Sequence, residues 1–387
     1  MNRILAFFIG LLFPLAASCQ DSVVTGAQRM GEYLPLLQGK KVGVLTNHTG
    51  LIGSTHLVDT LLSEGVHITA VFAPEHGFRG HADAGEKVAG YRDPETGLPV
   101  ISLYGADRKP RREDIASVDI MLFDLQDVGL RYYTYLSTLH YLMETCAETG
   151  TPLIVLDRPN PNGFYVDGPL LDPKFRSFVG MHRIPVVHGM TLGELAGMIN
   201  GEGWLAGGIK CPLTVVRCRH YTHQTRYELP VRPSPNLPNM RAVYLYPSLC
   251  YFEGTPVSVG RGTDFPFQVF GHPMLKGQTF SFTPRSLSGA KNPPLKDKVC
   301  FGVDLRHAPC DEKIIQEGIN LKYVIEAYRQ MPDKEHFFNP MFEKLIGVSY
   351  VREMIEAGKN AAEIEAMWSE GIVRFKKQRK PYLLYDE

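Results

Sequence analysis

The sequence carries no excess charge of either sign. Lys plus Arg and Asp plus Glu both number 41 in 387 residues. That balance argues against a nucleic acid or an anionic membrane face as the main partner. Nucleotide motifs are absent as well. The first strand-like run, 41–46, leads into Asn47-His48-Thr49-Gly50, not into the GxGxxG turn of dinucleotide enzymes. There is no P-loop, so no nucleotide is expected. There is no GxSxG elbow and no HExxH helix. His76, His81 and Asp83 match no common ligand spacing, so neither metal nor cofactor is expected. Cys146, Cys211, Cys218, Cys250, Cys300 and Cys310 form no CxxC pair. That removes zinc ribbons and dithiol redox motifs and leaves mostly buried free thiols, with one bridge at most. Past residue 19 no apolar run is long enough to cross a bilayer.

The first 19 residues are read separately. Met1-Asn2-Arg3 is a basic start, residues 4–15 are largely apolar, and Ala16-Ala17-Ser18-Cys19 follows. This predicts an export signal with small residues at the cut. It resembles a bacterial lipobox, with Cys19 as the lipidated residue; the alternative is a plain signal with an incidental cysteine. The expected location is periplasmic or cell-surface, held to a membrane only through that lipid.

From residue 40 onward the pattern is strand, polar loop, helix, repeated. Strands are predicted at 41–46, 67–72, 98–103, 118–123, 151–156 and 213–217, and helices at 54–64, 133–149 and 191–201. Alternating units of this kind predict a Rossmann-like, mainly parallel α/β sheet over 40–240. Pro230, Pro233, Pro235 and Pro238 then mark either a linker or a rigid crossing loop. A smaller α+β domain is expected from 241 to 387. Its strands are expected near 279–283 and 298–305, and its helices at 319–331 and 361–377.

In a parallel sheet the loops after the strands share one edge, where open α/β sheets bind ligands. Here four such loops carry polar residues: Asn47-His48, Glu75-His76 with Arg79, Asp124 with Asp127, and Asp157-Arg158. Glu75 lies between Pro74 and His76-Gly77, where a charged side chain gains little from folding, and is the foremost candidate. Tyr132, Tyr133 and Tyr135 supply aromatic surface nearby, with Phe78; Arg131 supplies charge. Carboxyl pairs beside aromatic platforms suit glycoside hydrolysis: one acid protonates the leaving oxygen while a second group activates water, attacks, or stabilises the transition state. Bland readings stand beside these. Asp157 could bond loop amides, Asp124 could pair with Arg131, and His48 could be a packed loop histidine.

Longer motifs then carry a resemblance. They are Thr46-Asn47-His48-Thr49-Gly50, Pro74-Glu75-His76-Gly77-Phe78-Arg79-Gly80, Phe123-Asp124-Leu125-Gln126-Asp127, Leu156-Asp157-Arg158-Pro159-Asn160, Ser234-Pro235-Asn236, Phe252-Glu253-Gly254-Thr255 and Gly260-Arg261-Gly262-Thr263. Over about residues 40–387 the chain resembles the exo-β-N-acetylmuramidases of the NamZ type. The resemblance implies removal of N-acetylmuramic acid from the non-reducing ends of peptidoglycan fragments such as MurNAc-GlcNAc, in a cleft between the two domains. It places the family's glutamate on Glu75, as general acid. Asp124 or Asp127 is expected to support it with His76. Asn236, within the Pro-rich crossing, is expected to bind substrate, and Glu253 and Arg261 to reach in from the domain beyond it. Muramic acid carries a lactyl carboxylate, for which Arg79 is the first-choice partner, ahead of Arg131 and Arg261. The rival readings are a non-catalytic muropeptide-binding lipoprotein and a cell-wall amidase or esterase.

Overall fold

The computed structural model describes residues 22–75, 77–79, 90–105, 107–275 and 277–387. His76, His81, Asp83 and Cys19 lie outside them. Twelve strands are formed by the described residues. They are β1 (Lys41–Thr46), β2 (Leu51–Ile52), β3 (Thr55–His56), β4 (His67–Ala73), β5 (Tyr91–Arg92), β6 (Pro99–Ser102), β7 (Ile120–Asp124), β8 (Leu153–Leu156), β9 (Leu213–Val216), β10 (Val269–His272), β11 (Phe280–Phe282) and β12 (Cys300–Asp304).

Seven of them make the central sheet, in the order β5-β6-β4-β1-β7-β8-β9. Every pairing is parallel except that of the edge strand β5 with β6. The chain leaves β1 first towards β4 and β6, then returns to β7 on the other side. The order therefore reverses between β1 and β7, as in a doubly wound sheet. Both faces are covered, which explains the near-continuous apolar runs of these strands. Ile120, Leu122, Ile154 and Leu156 face a layer containing Tyr33, Leu37, Leu57, Val58 and Leu61. Met121, Phe123, Leu153 and Val155 face the opposite way, into the larger core. Helices Tyr135–Thr149 and Leu192–Gly201 pack there. Gly150, at φ 71°, ends the first of them in the left-handed conformation that glycine adopts most readily. Thr191 and Glu194 form the expected capping box on the second.

The C-terminal part is α+β, as expected. A three-stranded antiparallel sheet, β10-β12-β11, lies among helices Met240–Leu249, Lys322–Gln330, Pro340–Ile346, Tyr350–Glu356 and Ser369–Arg379. The larger core continues into these helices through Leu245, Val324, Ile346 and Phe375. Two expected helices differ. The one expected over 54–64 starts at Leu57, because Thr55–His56 first pairs with Leu51–Ile52, and His56 Nδ1 then accepts from the Val58 amide. The one expected over 361–377 is broken at Ala366–Trp368 by a tight turn that buries Trp368, whose Nε1 donates to Asp167 Oδ1 at 3.0 Å. Cys146, Cys211, Cys218, Cys250 and Cys300 are buried free thiols, and Cys310 is an exposed one.

Candidate active site

β4 ends at Ala73, and Pro74 opens a turn closed by the Gly77 amide bonding to the Pro74 carbonyl at 3.0 Å. Glu75 stands half-buried on that turn. Thr134 Oγ1 donates to Glu75 Oε2 at 2.8 Å. Thr134 immediately precedes helix Tyr135–Thr149, so the carboxyl is tied to an element rooted in the core. Among the described residues its other oxygen takes part in no hydrogen bond.

Glu75 lines a cavity of about 330 Å³, within the range of small-molecule sites. Tyr132, Tyr133, Thr134 and Tyr135 line the same cavity. The tyrosine rings are fixed by their hydroxyls: Tyr132 donates to the Tyr246 carbonyl at 3.0 Å and Tyr133 to the Pro233 carbonyl at 2.9 Å. Tyr133 and Tyr135 meet edge to face with centroids 4.8 Å apart. Asn236, within the Pro-rich crossing, and Glu253, Arg261 and Phe267, from beyond it, line the rest of the cavity. Arg261 Nε donates to Glu253 Oε1 at 2.7 Å. Burial opposes the Arg261 charge, but the Glu253 carboxylate more than offsets it and holds the guanidinium above its ordinary pKa. A second carboxylate thus stands in the cavity with a permanent cation beside it. Asn236 is steadied by a bond from Nδ2 to the Gly289 carbonyl at 3.0 Å.

Other expected site residues do reach the same sheet edge, but they are engaged there with the protein itself. Asp124 accepts two bonds from Arg158, at 2.6 and 2.8 Å, and both side chains are buried. Its partner is Arg158, not Arg131. Asp157 accepts from Gly193 N, Thr191 Oγ1 and Tyr385 OH, anchoring the start of helix Leu192–Gly201. Burial raises its pKa to about 6. Asp127 Oδ1 accepts from the Gly129 amide at 2.6 Å, and burial pushes this carboxyl up to about 7. Asn47 is buried behind Tyr135, donating to its hydroxyl at 2.6 Å. His48 Nε2 lies 2.8 Å from the Arg232 carbonyl.

The two arginines first considered for an anion have other work. Arg131 donates to the carbonyls of Pro169, Ile184, Leu345 and Ile346, strapping the sheet domain to helix Pro340–Ile346. Burial without a carboxylate partner lowers its pKa to about 10. Arg79 is held by Asp93, at 2.9 Å through Nη2, and by Glu95 and Asp59 at 3.1 and 3.5 Å. Phe78 lies beneath it in the core, against His56. Sequence reasoning passed over Tyr104, Arg108, Phe178 and Lys344, which also line the cavity. The signal for the first two was available: they follow β6, whose loop shares the edge with Glu75.

Comparison with known proteins agrees with this architecture. The family model described as exo-β-N-acetylmuramidase NamZ, N-terminal, matches residues 42–241. Its C-terminal counterpart matches 244–385. The chain is 38% identical to the peptidoglycan β-N-acetylmuramidase NamZ of Bacillus subtilis (strain 168), covering 99% of this chain and 100% of that one. Among solved structures, a DUF1343 family protein of Bacteroides fragilis NCTC 9343 superposes with a TM-score of 0.89 at 52% identity, covering 95% of this chain and 100% of that one. A second DUF1343 protein of the same organism gives 0.76 at 29% identity, covering 94% and 99%. With both family models matched in order and nearly the whole length aligned, this chain belongs to the NamZ family of exo-β-N-acetylmuramidases.

Proposed function

We propose that the chain is an exo-acting glycosidase that releases N-acetylmuramic acid from the non-reducing ends of peptidoglycan fragments, with Glu75 as general acid. One observation carries the reading: Glu75 stands in a cavity of about 330 Å³ that is also lined by a second carboxyl, Glu253, paired with Arg261 at 2.7 Å. In this scheme Thr134 holds one oxygen of Glu75, and the other delivers a proton to the leaving glycosidic oxygen as the bond to the anomeric carbon breaks. Positive charge developing on the sugar ring is met by the Glu253 carboxylate and by the electron-rich faces of the tyrosines. Water completes the hydrolysis by adding to the anomeric carbon and releasing a proton, which restores the acid form of Glu75. The tied hydroxyls keep those rings from turning, so the sugar meets a preformed surface. The Bacillus subtilis relative named as a peptidoglycan β-N-acetylmuramidase supports the choice of sugar. The enzyme is further proposed to be exported and lipidated at Cys19.

The test is the release of free N-acetylmuramic acid from MurNAc-GlcNAc by purified protein, followed by chromatography. Production of N-acetylmuramic acid and N-acetylglucosamine is expected. Tight binding of the disaccharide without cleavage would turn the reading to a muropeptide-binding protein. Attack on peptide or ester bonds with the glycan intact would turn it to an amidase or esterase.

A further inference from the structure

We infer that Arg108 reads the lactyl carboxylate of the muramic acid, and so decides which sugar is accepted. This rests on the proposed muramidase reading. Three arginines considered for that anion are occupied. Arg79 is surrounded by Asp93, Glu95 and Asp59, Arg131 is spent on four carbonyls, and Arg261 is bound to Glu253. Arg108 lines the cavity and takes part in no hydrogen bond or ion pair with the described residues. Its guanidinium instead lies over the Phe178 ring, 4.4 Å from the centroid, and Phe178 lines the cavity too. Stacking of this kind orients the planar fork while leaving its N–H edge free, the arrangement that grips a carboxylate through two parallel bonds.

Its position relative to the bond being cut is set by the sheet. β6 pairs in parallel with β4, and the Leu103 amide bonds to the Ala73 carbonyl at 2.8 Å. The loop bearing Arg108 is thereby stitched to the strand that leads into Glu75. Phe178 is tied to the same wall, because its carbonyl accepts from Ser137 Oγ on helix Tyr135–Thr149 at 2.6 Å. Lys344, the other exposed cation of the cavity, is carried by helix Pro340–Ile346. It has no aromatic platform among the described residues and no planar fork. A carboxylate converted to an ester or amide keeps its shape but loses its charge, so Arg108 should also distinguish a free lactyl group from a substituted one.

The experiment compares a chromogenic N-acetylmuraminide, its lactyl methyl ester and the matching N-acetylglucosaminide in native protein and in Arg108→Ala, Arg108→Lys and Lys344→Ala. Native protein should prefer the free acid. Arg108→Ala should lose on the order of tenfold to a hundredfold in kcat/KM on the acid, the worth of a charged hydrogen-bonded pair. It should change little on the ester, so that the acid-over-ester preference disappears. Arg108→Lys should restore part of the preference, and Lys344→Ala should retain it. Because Arg108 is exposed, melting temperatures should match the native value. Equal native rates on acid and ester would overturn the inference while leaving the muramidase reading standing. So would an acid preference that survives Arg108→Ala or vanishes with Lys344→Ala. Native protein that cleaves no muraminide would overturn both.

Discussion

Thr134 Oγ1 and Glu75 Oε2 are 2.8 Å apart across 59 residues of sequence. One comes from the turn after β4 and the other from the start of the helix after β7, so the bond joins two loops across the strand order. A carboxyl held by one oxygen keeps its second oxygen in a fixed direction, which is what a general acid requires.

Glu75→Gln keeps that shape and removes the transferable proton. Turnover on a muraminide should fall by at least about a hundredfold. Binding of the disaccharide, measured by calorimetry, should stay within a few-fold of native. Near-native turnover in this variant would take Glu75 out of the mechanism.

Asp124 is expected to act on stability. Removing one member of a buried ion pair strands the other, at a cost of about 3–5 kcal/mol. Asp124→Asn should therefore lower the urea midpoint, because Arg158 remains buried without its carboxylate. The double variant Asp124→Asn with Arg158→Met should recover part of the loss. A variant with native stability and no turnover would instead put Asp124 in the chemistry.

Asp127 predicts a pH dependence. Burial raises its carboxyl from an ordinary value of 3.8 to about 7. A raised native pKa means that the folded chain holds a proton which the unfolded chain has already released. The stabilising contribution is full below the unfolded value and is lost as pH rises through about 7. Over that interval stability should fall by about 1.4 kcal/mol per pH unit. Asp127→Asn carries no charge in either state, so its melting temperature should decline less than the native value between about pH 4.5 and 7.5. Parallel curves would show a carboxyl that titrates normally.

The export proposal rests on residues outside the described structure. Cells expressing Cys19→Ala should lose the protein from the membrane fraction while keeping muramidase activity in the soluble one. Equal membrane association of the native and altered forms would end the lipoprotein reading.

The sheet was legible because its strands are apolar on both faces, and a strand buried on both sides leaves a continuous run in the sequence. The place of Glu75 on the cavity was legible for a related reason: a carboxyl between Pro74 and His76-Gly77 has no helix to cap. Asp157 and Asp124 looked equivalent to it, since the pattern shows which residues arrive at the edge and not which ones find a partner there. Asp157 meets the amide of Gly193, and Asp124 meets Arg158. Those encounters join segments more than thirty residues apart. Arg79 was misplaced by the same limitation, because Asp93 binds it from a loop whose path the sequence does not reveal. The breaks at residues 54–56 and 366–368 reflect tertiary demands overriding helical periodicity.

The reversal between β1 and β7 is where a doubly wound sheet usually opens a crevice for its ligand. Here it is plugged. Asn47, Asp124 and Arg158 are buried in it, and Gly50 approaches so closely that an added Cβ would lie 2.1 Å from Thr46 Oγ1 and 3.1 Å from Asp124 Oδ2. The cavity opens beside it instead, between the loops after β4 and β6 and a wall supplied by the second half of the chain. For inhibitor design the fold is therefore a misleading guide. Compounds shaped for the customary berth of such sheets meet solid protein. Selectivity has to be sought next door, in a molecule that fills the cavity and touches both Glu75 and Glu253.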